Sequence, residues 1–257
     1  IYGIFFFLLI AAIAIGSFSL AVAARRETEI ARMRANFIAG VSHELKTPLT
    51  SIHMLSDMLK SGKIKDEVKK LEYYSVINKE SDRLSGLINR ILDFSKINEG
   101  KISYDSLPVN LDSVVDEALM SLSALLDEKD AEVDRYRAKE SLVISGDKKM
   151  LVQVVINLLE NSVKYSTGKP HIVISCHAEG QFASLSVRDH GIGIKTGEEK
   201  LIFGEFFRGA SEQVKSVSGT GLGLSIVSKI VEQHNGSISA RNADGGGLIV
   251  EVLFPIA

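Results

Sequence analysis

FIAGVSHELKTPLTSI, residues 37–52, has the pattern of a packed helix carrying an exposed imidazole and, one turn on, a proline. Ile38, Val41, Leu45, Ile52, Leu55 and Leu59 recur at steps of three, four and seven, the apolar stripe of a helix in a bundle. At about 100° per residue, His43 projects about 170° from the centre of that stripe, into solvent. Thr47 lies about 40° from His43 by the same count and shares the exposed face, with Glu44 between that face and the stripe. Pro48 removes a backbone donor and bends the helix, costing about 3 kcal/mol that a passive bundle helix has little reason to carry. An exposed histidine is ordinarily a plain surface residue. The adjacent carboxylate and the nearby proline point instead to an imidazole presented for chemistry.

Upstream, residues 1–24 carry no charge and are dominated by Ile, Phe, Leu, Ala and Val. As a helix they reach about 36 Å, enough to cross a hydrocarbon core of about 30 Å, so a transmembrane helix is expected there. Arg25, Arg26, Arg32 and Arg34 follow, and the positive-inside rule then puts the rest in the cytoplasm, with the span in the cell (inner) membrane. Ala21-Val22-Ala23 also resembles a signal-peptide cleavage site, but the charged region expected before a signal core is missing. With no initiator Met, the chain reads as a fragment whose sensing part precedes Ile1. Residues 25–36 contain neither proline nor glycine and continue as a connecting helix.

Downstream, a turn at Ser61-Gly62-Lys63 leads to a second amphipathic stretch, from about 66 to 96, with Leu84, Leu87, Ile91 and Phe94 at helical spacing. Residues 37–102 thus form an all-α helical hairpin. Two helices bury too little apolar surface alone, so a homodimer closing a four-helix bundle is expected.

Among 257 residues, 45% are hydrophobic and 24% charged, an ordinary globular composition. A net charge of -2 gives no reason to expect a nucleic-acid partner. The single cysteine, Cys176, excludes an intrachain disulfide; its alternation with Ile172, Ile174 and Ala178 marks a buried thiol on a strand. No cysteine–histidine spacing of a metal site is present. After Asn98-Glu99-Gly100 the period changes, with a boundary near Pro108. Strands such as 141–145, 171–177 and 183–188, and helices near 111–129, 147–165 and 222–235, predict that residues 103–257 form an α/β sandwich.

Three segments of this half carry chemistry. Asn157 and Asn161 share one face of an otherwise apolar helix, with Lys164 at i+3 from Asn161 and Tyr165 next to it. An amide oxygen for Mg²⁺ and an ammonium for phosphate converge there. Asp189-His190-Gly191-Ile192-Gly193 ends a strand; the carboxylate can accept from an amino group on a base, and the glycines admit a ligand to the backbone. His190 reads as a loop residue. Gly219-Thr220-Gly221-Leu222-Gly223-Leu224 enters a helix whose N-terminal N–H groups and dipole favour phosphate. The stretch has neither the Rossmann fingerprint nor the Lys-Ser/Thr pair of a P-loop. Phe203, Phe206, Phe207 and Arg208, between the second and third segments, look like a mobile lid with an aromatic anchor.

Taken in order, SHELKTPL, NLLENSVKYS, DHGIGI, IFGEFFR and GTGLGL resemble the histidine, asparagine, first glycine, phenylalanine and second glycine boxes of a membrane-bound two-component sensor histidine kinase. The likeness covers about residues 27–257. It implies a Bergerat-type ATP domain, Mg-ATP as substrate, His43 as phosphoacceptor, Glu44 as base and Asn161 as Mg²⁺ ligand. By the same resemblance Asn157 and Lys164 assist phosphate binding, Tyr165 packs by the adenine and Asp189 binds its amino group. Gly191, Gly193, Gly219, Gly221 and Gly223 shape the pocket and lid, and Phe203, Arg208, Thr220 and Leu222 complete the ATP-binding set. The phosphoryl group passes to an aspartate of a response regulator receiver domain, and Thr47, in an ExxT pattern, suggests a reverse phosphatase activity. Residues 25–42 leave too little room for a relay module, which departs from many members. Two other functions remain: a degenerate signalling scaffold, and a Bergerat-fold ATPase without phosphotransfer.

Overall fold

The computed structural model describes residues 2–62, 64–98, 106–209, 211, 214 and 221–257. Helix α1 spans Tyr2–Lys60 without interruption, so the connecting segment and the His43 segment are one helix. Its helical run continues through Pro48, whose own side chain is buried. Pro48 has no N–H to donate back along the helix. Thr47 and Thr50 hydroxyls bond the neighbouring carbonyls of His43 and Lys46 at 3.2 and 2.8 Å.

The span expected at residues 1–24 is not found: among the described residues no helix is long and apolar enough to cross a membrane. Within that stretch the side chains of residues 1, 4, 5, 8–12 and 14 lie outside the described set. Those that are described, including Phe6, Phe7, Ile13, Ile15, Phe18 and Leu20, are exposed.

Helix α2, Glu67–Asn98, folds back along α1 after a short turn in which Gly62 adopts φ 66°. Asp66 starts it by accepting the Val68 N–H at 2.9 Å. Leu55 of α1 and Leu87, Phe94 and Ile97 of α2 are buried, whereas Ile38 of the expected stripe is exposed in this single chain.

The expected boundary between residues 102 and 103 falls outside the described residues. The second unit opens with β1, Leu107–Asn110, paired antiparallel to β3, Val143–Gly146. Pro108 therefore sits inside a strand rather than ahead of the unit, tolerated because β1 is an edge. The helix expected at 111–129 is two: α3, Leu111–Ser121, and α4, Ser123–Glu128, parted at Leu122. After β2, Glu132–Tyr136, come α5, Lys148–Tyr165, the strands β4, His171–Glu179, and β5, Phe182–Asp189, then α6, Gly223–Gln233, and the strands β6, Ser237–Asn242, and β7, Leu248–Pro255.

The main sheet has the order β2-β4-β5-β7-β6, antiparallel throughout except for the parallel β2–β4 pair. Alternation on β4, β5 and β7 sends Ile172, Ile174, Leu185, Val187, Val252 and Phe254 to one face. There they meet the apolar stripes of α3, α5 and α6 in a single core. Cys176 lies in that core, its thiol pushed up to about 11 by burial, as its strand position predicted. Phe94 and Ile97 of α2 belong to the same core cluster, so the hairpin is packed onto the α/β unit.

Candidate active site

Asp189 ends β5 with its carboxyl buried. Its Oδ1 accepts the N–H groups of Gly191 at 2.9 Å and Leu248 at 3.0 Å. Burial raises its pKa, and these two donors oppose the rise. The second oxygen is left for a ligand, in a cavity of about 320 Å³ also lined by Asn161, Tyr165, Gly193 and Arg208. Val187, Ile192, Ile194, Ile202, Phe207 and Leu248 supply apolar walls. A flat, nitrogen-rich ring fits such a slot, its faces on apolar side chains and its amino group on Asp189.

Gly247 makes the floor of this slot possible. It holds φ 91°, and a Cβ there would come within 2.0 Å of the Asp189 carbonyl oxygen. Asn242 ties Ile194 in place from the other side, donating to its carbonyl at 2.8 Å and accepting its N–H at 2.9 Å.

A second cavity, about 460 Å³, adjoins the first and shares Asn161, Tyr165, Ile202, Phe207 and Leu224 with it. It opens between the hairpin and the α/β unit, with Glu44, Arg83 and Arg90 on one side and Asn157, Glu160, Lys164, Gly221 and Gly223 on the other. Gly223 is the first residue of α6, so this helix directs its N-terminal N–H groups towards the asparagines. A Cβ at Gly223 would stand 3.5 Å from both Asn157 Oδ1 and Asn161 Nδ2. Gly221, at φ 73°, passes so near the Phe207 carbonyl that a Cβ would lie 2.8 Å from that oxygen.

Asn157 is buried and donates to the Gln153 carbonyl at 2.9 Å, leaving its amide oxygen towards the cavity rim. The Asn161 side chain makes no hydrogen bond among the described residues, so its carboxamide oxygen suits a hard cation such as Mg²⁺. Lys164 lies 5.1 Å from the Tyr165 ring centroid. Desolvation first, then Arg208, lowers its pKa to about 8, while Glu44 and Glu160 act in the opposite sense. Burial raises the Tyr165 hydroxyl.

His43 itself is exposed on α1, and Thr47 shares its face as the helical count predicted. Gly191 lines neither cavity and acts through its N–H. Leu222 is fully buried in the core, because it precedes α6 on the side facing the sheet. Phe203 packs on the core as well, since a 3-10 turn at Leu201–Phe203 faces it inward. Phe207, four residues on, takes the cavity position. Phe206, with a strained φ of 63°, anchors on the hairpin instead, its ring 4.3 Å from Phe37 and 5.5 Å from Phe94. Arg208 donates to the Val214 carbonyl at 2.9 Å. Gly219 and Thr220 lie outside the described residues.

His190 lies in the loop after β5, where it stacks on His171 at 4.5 Å and bonds the His171 carbonyl. Away from both cavities, His177, Glu179 and Glu251 bring ligand atoms within 4.8 Å of one another. Spacing could not reveal this cluster, because Glu251 comes from β7 and the other two from β4.

A base-sized slot with a buried carboxylate, joined to a phosphate-facing helix end and set against a hairpin that exposes a histidine, defines a histidine-kinase-type ATPase unit with its phosphoacceptor domain. Residues 33–100 match the His Kinase A (phospho-acceptor) domain and residues 146–257 the histidine kinase-, DNA gyrase B- and HSP90-like ATPase family. The chain belongs to the sensor histidine kinases. It is 32% identical over 235 residues to the sensor protein kinase WalK of Staphylococcus aureus, covering 89% of this chain and 55% of that one. The Acinetobacter baumannii histidine kinase AdeS superposes with a TM-score of 0.63 at 25% identity, over 83% of this chain and 98% of AdeS. The histidine kinase ThkA, solved in complex with response regulator protein TrrA, shares the fold with a TM-score of 0.63 at 24% identity, over 91% of this chain and 65% of that one. The chain spans between 26% and 55% of the length of the curated relatives it matches.

Proposed function

We propose that the protein autophosphorylates His43 from Mg-ATP and hands the phosphoryl group to an aspartate of a response regulator. The observation that carries this is the single cavity shared by Glu44, beside His43, and by Asn161, Lys164 and the start of α6. Adenine occupies the Asp189 slot, with the triphosphate running past Lys164 towards the hairpin. Asn161 would hold the Mg²⁺ that accompanies the triphosphate and would offset its charge, while Asn157 and Lys164 assist phosphate binding. One imidazole nitrogen attacks the γ-phosphorus as the bond to the ADP oxygen breaks, and Glu44 takes or orients the proton on the other nitrogen. Most of the rate comes from positioning and charge neutralisation. In the second step the P–N bond breaks as an aspartate carboxylate attacks. The same exposed face, with Thr47 one turn from His43, is available for water to attack the regulator's acyl phosphate.

The exposed apolar surface of the hairpin supports a homodimer, and the uncharged residues 1–24 followed by arginines support a membrane span with the catalytic part cytoplasmic. Glu44, Asn161 and Asp189 are all retained, which disfavours a scaffold without catalysis.

With γ-labelled ATP, acid-labile label is expected on the protein in the membrane fraction and should chase onto a receiver domain. Phe7→Lys with Ile13→Lys should release the labelled protein to the soluble fraction. Undiminished label in His43→Gln sinks the phosphoacceptor assignment, and a soluble unsubstituted chain sinks the membrane span.

A further inference from the structure

Arg90 lines the cavity that separates the α/β unit from the hairpin carrying Glu44 and His43. It projects from α2 into the cavity between hairpin and α/β unit, and its Nη1 donates to Glu160 Oε2 at 2.9 Å. Both ends of this pair are mounted rigidly. Leu87 and Phe94, three residues before and four after Arg90, are buried, and Leu158 and Leu159 bury α5 just ahead of Glu160. The tips are free to exchange partners, since the two side chains are 40% and 34% exposed.

The cavity is lined by Arg83, Arg90, Lys129 and Lys164 against the carboxylates of Glu44 and Glu160. An interface serving only to dock two domains has no reason to gather four cations around a space of about 460 Å³. A multiply charged anion does. A guanidinium offers five N–H donors, and one of those of Arg90 is used among the described residues. Burial and nearby cations also depress the Lys164 ammonium, with Arg90 among the charges acting on it. Arg83 and Lys129 also meet Glu80 and Glu128 at 3.8 and 3.7 Å, so Arg90 and Lys164 are the cations left to face an anion in the cavity.

We propose that Arg90 is a catalytic residue delivered by the hairpin to the transferring phosphoryl group, and that Glu160 is the positioning residue that holds its guanidinium at the transfer path. This rests on the kinase reaction proposed above. As the bond between γ-phosphorus and the ADP oxygen breaks and the bond to the His43 nitrogen forms, Arg90 exchanges the Glu160 carboxylate for equatorial phosphoryl oxygens. It moves no proton; it neutralises charge where charge develops.

The test uses the whole chain and measures single-turnover labelling of His43 at saturating Mg-ATP, together with Mg-ADP affinity. Arg90→Gln should slow labelling by about 10²-fold or more, with ADP affinity unchanged, and Arg90→Lys should recover part of the rate. Glu160→Gln should slow labelling by up to about 10²-fold, the scale of a misplaced group. The exchanged pair, Arg90→Glu with Glu160→Arg, restores an interdomain ion pair but puts a carboxylate on the transfer path, and should stay slow. Recovery in the exchanged pair, a wild-type rate in Arg90→Gln, or parallel losses of rate and ADP affinity would each overturn the assignment in favour of simple docking. An unsubstituted chain that never labels His43 overturns the kinase reaction and this proposal together, whereas failure of the Arg90 variants to slow labelling overturns this proposal alone.

Discussion

In the α/β unit, Ile174, Leu185 and Val252 are sealed between one sheet and three helices of the same chain, while along the hairpin Ile38, Leu49, Val68, Leu71 and Tyr74 stand in solvent. One region closes its core by itself and uses the cavity left over as a binding site. The other leaves an apolar surface that its own chain does not cover, beside an exposed histidine. A sheet flanked by helices satisfies the demand for two packed layers, whereas two antiparallel helices supply only half of a bundle. Binding and reaction are thereby assigned to parts with different kinds of stability, joined at Phe206 and at the Arg90–Glu160 pair.

The largest effect should come from breaking the closed region. Leu185→Ala removes a fully buried side chain from the middle of the sheet and should cost about 2–5 kcal/mol. Calorimetry should show the loss in the melting of the α/β unit, with self-association of the hairpin retained. Equal loss of both would mean that the two regions melt as one body.

The converse substitution sharpens the other half of the contrast. Val68→Glu with Leu71→Glu places charge on exposed apolar positions of α2. In an isolated chain this is nearly silent; at a dimer interface it should weaken association by about tenfold or more, about 1.4 kcal/mol or above. Sedimentation equilibrium measures it, with ADP affinity as the control. Unchanged association would move the dimer contact off this face.

Much of this division is legible in the sequence, and for different reasons in each region. Helical period located α1 and α2 nearly to their ends, and the polar boxes named Asn161, Lys164, Tyr165 and Asp189, all of which line the cavities. The strands β2 and β6, edge strands with mixed polar faces, were not named from the sequence, and neither was the central β7. The apolar walls of the adenine slot, Val187, Ile192 and Leu248 among them, escaped because apolar residues that line a pocket and those that fill a core follow the same alternation. Leu222 and Phe203 lie in the motif strings yet point into the core, since a turn of one or two residues redirects a side chain that motif spacing treats as equivalent. Arg90 and Glu160 meet only through the docking of two domains, and no local pattern records it.

The smallest expected effect is also the one whose sign is most informative. In the unliganded protein the Lys164 ammonium is lost as pH rises through about 8, well below its ordinary value of 10.5. The penalty on its charged form is complete below about 8 and is relieved between there and 10.5, so its contribution to the stability of the α/β unit rises with pH in that window. Nucleotide affinity should run the other way. Phosphate needs the ammonium, so above pH 8 binding has to restore a proton, and affinity should fall by up to about tenfold per pH unit with matching proton uptake. Calorimetric titration with Mg-ADP between pH 7 and 9.5, in buffers of different ionisation enthalpy, reads both quantities. Lys164→Met should abolish the slope and Lys164→Arg should carry full affinity to higher pH, because a guanidinium stays charged there. A slope that persists in Lys164→Met would assign the titration to another group. The opposite pH dependences of stability and affinity would separate what burial does to this lysine from what the triphosphate does, which a loss of binding in a single variant cannot do.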